Sequence, residues 1–148
     1  DEIGLSGEGD PHNRAPFPWD RTRWNASLRA GVKALIAARR ASPALQAGSL
    51  VPLHASARSL AFGRGYQDAN GKVDAAIAAL TTAPADDLTL DLRPLGLLDA
   101  TLTDALSGEA FTATGGRLRL RVAQPRLLTL DTSAAKPAGP GVASSRDA

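Results

Sequence analysis

The chain has 148 residues, 17 Lys+Arg against 15 Asp+Glu, a formal net charge of +2, and neither cysteine nor methionine. Such a length excludes a complete (β/α)₈ barrel, which needs roughly 250 residues, and the lack of cysteine excludes disulfides, thiolate zinc sites and a cysteine nucleophile. Only His12 and His54 could supply imidazole ligands, so no metal and no cofactor is expected in this chain, and no apolar run approaches the ~20 residues of a membrane span.

Residues 1–25 read as irregular chain, punctuated by Gly4, Gly7, Gly9, Pro11, Pro16 and Pro18, and they hold both tryptophans, Trp19 and Trp24. Residues 26–41 read as a helix. Leu28, Val32, Leu35 and Ile36 fall on the i, i+4, i+7, i+8 rows, and the stem of Arg39 closes the stripe. Asn25 is placed to cap its start, and Pro43 stands just past its end. From residue 48 the period changes to two. Leu60 and Phe62 alternate with their neighbours, as do Leu88, Leu90 and Leu92, then Leu118, Leu120 and Val122, then Leu128 and Leu130. Turn residues separate these runs at Ala69-Asn70-Gly71, Pro94 to Gly96, Ser107-Gly108 and Gly115-Gly116. Six or seven short antiparallel strands at this spacing predict a small β-sandwich. The alanines between Val73 and Leu80 suit a helix by propensity, but their place between two turns predicts a buried strand. Residues 132–148 are Ala, Pro, Gly and Ser with scattered charges, and a disordered tail is expected there.

The basic residues do not make a nucleic-acid surface. Seven lie between Arg14 and Arg40, but those on the predicted helix fall at the spacing of a solvated face, without interleaved stacking aromatics. Ser6-Gly7-Glu8-Gly9 is glycine-rich, yet no strand-then-helix context makes it a phosphate loop. His54, within the first predicted strand, has no assigned role.

The opening is the informative part: Asp1-Glu2-Ile3-Gly4, then Asp10-Pro11, Arg14, Pro16-Phe17-Pro18-Trp19-Asp20. This ordered spacing resembles the α-amylase family of glycoside hydrolases, family 13, in the segment that follows the last strand of the catalytic barrel. It looks most like the neopullulanase, cyclomaltodextrinase and maltogenic amylase branch, or the related maltodextrin glucosidases. Leu35 to Arg39 and Pro43-Ala44-Leu45 resemble the last barrel helix and its exit. Asp104 to Glu109 resembles a strand-turn of the C-terminal β-domain. The resemblance departs near the end of the Val73 strand, where the family usually carries an Asn and this chain has Leu80 and Thr81. It implies a mainly β chain: residues 1–45 as the end of a (β/α)₈ barrel, loop plus last helix, then an antiparallel C-terminal β-sandwich over residues 46–131. The missing Met, together with a helix stripe that one small sandwich cannot cover, leads to the expectation of a piece of a longer enzyme.

Asp10 and Arg14 are four residues apart on a loop stiffened by Pro11. A carboxylate that accepts and a guanidinium that donates in a fixed fork suit the hydroxyls of one sugar; the same pair could instead be an ion pair that merely folds the loop. The resemblance implies that both bind glucose units on the non-reducing side, as part of an α-glucan or maltooligosaccharide substrate, and His12 lies between them. Asp1 and Glu2 are adjacent carboxylates, but neighbours on an extended chain point to opposite faces, whereas retaining glycosidases need their two carboxyls about 5 Å apart. Glu2 is read as a support residue at the barrel mouth, and Trp19 as a packing residue beneath the loop. The family's three catalytic acids lie upstream of this segment, so no catalytic residue is assigned here. The alternative is a stand-alone carbohydrate-binding or structural sandwich. Its platform would have to come from Phe62, Tyr66 and Phe111, and alternation predicts Phe62 inside with Leu60.

Overall fold

A computed structural model describes residues 1–131; the tail expected over 132–148 lies outside the described residues. Helix α1 spans Ala26–Ala41, the range the periodicity predicts, and Asn25 caps it by accepting from the Leu28 N–H at 2.9 Å. A second, short helix α2, Pro43–Ala47, follows at once. Ser42 joins the two. Its N–H closes α1 on the Ala38 carbonyl, and its Oγ accepts from the Leu45 N–H to start α2. Serine at the cap with proline in the first turn is an N-terminal signal legible in Ser42-Pro43, and the stripe analysis passed over it because α2 is too short to show a period.

Eight strands follow: β1 Ser49–Ala55, β2 Ser59–Gln67, β3 Val73–Thr81, β4 Asp86–Asp91, β5 Ala100–Asp104, β6 Ala110–Ala113, β7 Arg117–Val122 and β8 Arg126–Leu130. They form a six-stranded sheet in the order β1-β2-β3-β8-β5-β6 and a two-stranded sheet, β4-β7, with every pairing antiparallel. The expected β-sandwich is therefore present. Its core lies between the sheets, where Ile77, Leu102 and Leu128 from one face meet Leu88, Leu90, Leu118, Leu120 and Val122 from the other.

The alanine-rich stretch is a strand, as its position predicts, and an inner one, paired to β2 on one side and β8 on the other. Tertiary pairing overrides the helix propensity of alanine here. Small residues are what the site needs. Ala61, Ala75 and Ala79 are fully buried beneath the opposite layer, and a Cβ on Gly63 would lie 2.6 Å from Leu95 Cδ1. This close approach reverses the expected face of β2. Ser59, Ala61 and Gly63 point inward, while Leu60 is 42 % exposed and Phe62 half-buried on the outer face. Phe62 is thus not inside with Leu60, because the space over β2 is already filled from the η-turn at Arg93–Leu95.

The helices meet the sandwich through α2. Asp74 on β3, 8 % exposed, accepts from Ser42 Oγ at 2.6 Å and from the Ala44 N–H at 2.8 Å. Arg64 on β2 donates to the Gly48 carbonyl at 2.6 Å. No residue of α1 is buried, and Leu28, Leu35 and Ile36 are 40, 43 and 48 % exposed. Of the apolar stripe only Val32 is half-buried, so most of the stripe is bare.

Candidate functional site

The N-terminal loop is strapped to α1 at its root. The Asp1 carboxylate accepts from the N–H groups of Ile3 and Leu5 at 2.9 and 3.0 Å, folding the first residues into a turn. Ile3 is 2 % exposed, and its carbonyl accepts from the Asn25 N–H at 2.9 Å, one residue before α1. Of the two opening carboxylates it is Asp1 that organises the loop, by capping backbone N–H groups as Asp does in such turns. Glu2, expected as a support residue at the barrel mouth, is exposed.

From Asp10 the chain makes a single tight turn. The Asp10–Pro11 peptide is cis, the His12 N–H donates to the Gly9 carbonyl at 2.9 Å, and the Arg14 N–H donates to the Pro11 carbonyl at 3.0 Å. The turn brings the two predicted partners together, with Arg14 Nε 3.1 Å from Asp10 Oδ1. Their side chains are 77 and 63 % exposed. Ion pairs this open to water contribute about 0–1 kcal/mol to stability, so the backbone hydrogen bonds, and not the pair, hold the turn. What the pair offers outward is a row of acceptor and donor groups, still wet. His12 is on the same turn and exposed.

The two tryptophans part company. Trp24 is half-buried, its Nε1 donates to the Pro18 carbonyl at 2.7 Å, and the guanidinium carbons of Arg21 and Arg29 lie 5.6 and 5.3 Å from its ring centroid. Trp19 is 83 % exposed and stands edge-to-face with Phe17, with ring centroids 4.9 Å apart. Packing beneath the loop is thus the role of Trp24, and Trp19 does not share it in the described chain. Asp20 fixes the next turn by accepting from the Thr22 Oγ1 and N–H at 2.8 and 3.0 Å, and these bonds hold its carboxyl below the usual carboxylate range.

A second polar cluster lies inside the β-domain. Asp104, fully buried at the end of β5, accepts from the Leu106 and Leu127 N–H groups, from Ser107 Oγ at 2.9 Å and from Arg126 Nη1 at 2.9 Å. Arg126 also reaches Glu109 at 2.8 Å and lies over the Phe111 ring. Burial pushes the Asp104 carboxyl up, but the bonds from Arg126, Leu106, Ser107 and Leu127 outweigh it and hold the group below its usual value. Asp104 and Arg126 spend their bonds inside this cluster, which fastens the Asp104 to Glu109 turn to β8.

An antiparallel sandwich preceded by one long helix is the fold of a class of proteins: the chain is similar to α-amylase-family glycoside hydrolases, with its sandwich matching their C-terminal β-domain. No protein-family model matches the chain. In sequence it is 32 % identical over 128 residues to the amylopullulanase of Thermoanaerobacter thermohydrosulfuricus, a match covering 82 % of this chain and 8 % of that protein. In fold it superposes on a cyclomaltodextrinase with a TM-score of 0.70 at 24 % identity, covering 88 % of this chain and 22 % of that one. It also superposes on an enzyme named AmyP, solved in complex with maltose, with a TM-score of 0.60 at 23 % identity over 82 % of this chain and 22 % of that one. The chain spans about a tenth of the length of the curated relatives it matches, between 8 and 12 % of each.

Proposed function

We propose that the chain works as the C-terminal part of a retaining glycosidase that hydrolyses α-glucosidic bonds in maltodextrins, supplying a stretch of the substrate-binding rim, the last barrel helix and the β-domain. The observation that carries this reading is the Asp10–Arg14 pair, placed by a backbone-held turn and left 63–77 % exposed. A carboxylate and a guanidinium fixed side by side bind adjacent hydroxyls of one sugar, the first accepting and the second donating. His12 adds an imidazole within the same turn, and Glu2 remains a support residue at the mouth of the barrel. The acids that cleave the bond belong to the barrel and not to this chain. The bare stripe of α1 supports the same reading, because three apolar side chains 40–48 % exposed on one helix call for a covering surface.

The test is Asp10→Ala or Arg14→Ala in the enzyme that carries this chain. Losing one charged hydrogen-bond partner of a bound sugar forfeits on the order of 1.5–3 kcal/mol, about 10- to 150-fold. We expect kcat/KM on maltotriose-sized substrates to fall by about that factor, and short activated glucosides to suffer less. An equal fall on all substrates, accompanied by a large drop in melting temperature, would make the pair a structural ion pair and overturn the reading.

A further inference from the structure

Trp19 is left over once the loop is accounted for. An indole carries the largest apolar area of any side chain to hide from water, yet this one is 83 % exposed. It is not exposed because it is loose. Pro18 fixes the backbone before it, the Pro18 carbonyl is held by Trp24 Nε1, and Asp20 caps the turn that follows. Phe17 lies against the ring at an interplanar angle of 63°, and the indole still leaves 83 % of its surface open. Rigidly mounted aromatic rings of this kind are recognition surfaces, because little conformational entropy is lost when they are covered. Trp19 lies five positions after Arg14, so even a fully extended chain keeps their Cα atoms within about 17 Å.

We infer that Trp19 is a sugar-stacking platform: the apolar C–H face of one glucose unit lies on the indole while Asp10 and Arg14 hold the hydroxyls of a neighbouring unit. The inference rests on the reading of the loop as an α-glucan-binding element. It assigns the two chemical faces of a sugar, the ring of hydroxyls and the apolar C–H surface, to two separate mounts on one loop.

The experiment follows NMR signals of these residues in the enzyme that carries this chain during titration with maltotriose and maltoheptaose. The Trp19 and Trp24 indole N–H and the Arg14 Nε–H are observed together, and Trp24, whose proton is already engaged, is the internal reference. Expected is a saturable shift of Arg14 and Trp19 with Trp24 unmoved. Trp19→Ala should weaken binding about 5- to 30-fold, Trp19→Phe should keep most of the affinity, and neither should change the melting temperature. If Arg14 responds while Trp19 is still and Trp19→Ala binds as well as the unaltered enzyme, the platform is wrong and the reading of the loop stands. If neither residue responds, the loop reading falls and takes the platform with it. A large loss of melting temperature in Trp19→Ala without an indole shift would mean that the ring covers another part of the protein, and would also overturn the inference.

Discussion

Single residues divide here into those that hold the fold and those that face outward, and burial is what separates them. Asp104 and Asp10 each sit about 3 Å from an arginine, but Asp104 is fully buried and Asp10 63 % exposed. Removing one partner of a buried pair strands the other charge away from water and typically costs 3–5 kcal/mol. Asp104→Ala should therefore lower the unfolding free energy by about that amount in chemical denaturation, while Asp10→Ala should change it by less than about 1 kcal/mol. The Asp104 carboxyl lies below its usual value in the folded chain. Its contribution is therefore fully present above the unfolded value, ~3.9, and is lost as pH falls through the lower folded one. The stability gap between the unaltered chain and Asp104→Asn should accordingly be wide at neutral pH and narrow in acid; a gap that widens in acid would contradict the assignment.

At the scale of elements, the seam between α2 and the sandwich decides whether the N-terminal part is held in place. Ser42 is its pin, ending one helix, starting the next and donating to buried Asp74. Ser42→Ala leaves Asp74 with one donor fewer and α2 without its cap, at a cost of about 1–3 kcal/mol. Gly48 is the tightest point, where a Cβ would lie 2.5 Å from the Ala44 carbonyl oxygen and 2.7 Å from that of Gly65. Both are backbone atoms that cannot rotate away, so Gly48→Ala should destabilise by at least the ~1–3 kcal/mol typical of overpacking. Protection from amide hydrogen exchange should fall first in α2 and at the facing end of β2, and loss spread evenly over all strands would contradict a local seam. The sequence shows α1 in full because sixteen residues give its stripe four turns to repeat. It hides α2 and the seam because five residues carry no period and the contact from Ser42 to Asp74 spans 32 positions. The inner face of β2 was misread for a related reason. Alternation tells that two faces differ, and the larger side chains ordinarily mark the core, but Gly63 and Ala61 face a layer that comes close enough to need no side chain from β2.

For the whole molecule, the loop pair was legible because Asp10 and Arg14 lie within one turn, whereas the fate of Trp19 depends on which surface covers it and no local spacing encodes that. Most of the α1 stripe lies bare beside a sandwich with its own closed core. Removing residues 1–41 should therefore leave the sandwich folded and improve its solubility; loss of the cooperative transition would show that the two parts share one core. The purified chain should release no reducing sugar from maltodextrin, cyclodextrin or pullulan, and release that is abolished by replacing one of its carboxylates would overturn the absence of catalytic acids. The most direct test of the central claim, that Asp10 and Arg14 grip one sugar, is a double-mutant cycle on the pair in the enzyme that carries this chain, read as kcat/KM on maltotriose and as unfolding free energy side by side. The losses in kcat/KM should fall well short of adding, while the coupling in unfolding free energy stays below about 1 kcal/mol. Additive losses in kcat/KM with strong coupling in stability would contradict it.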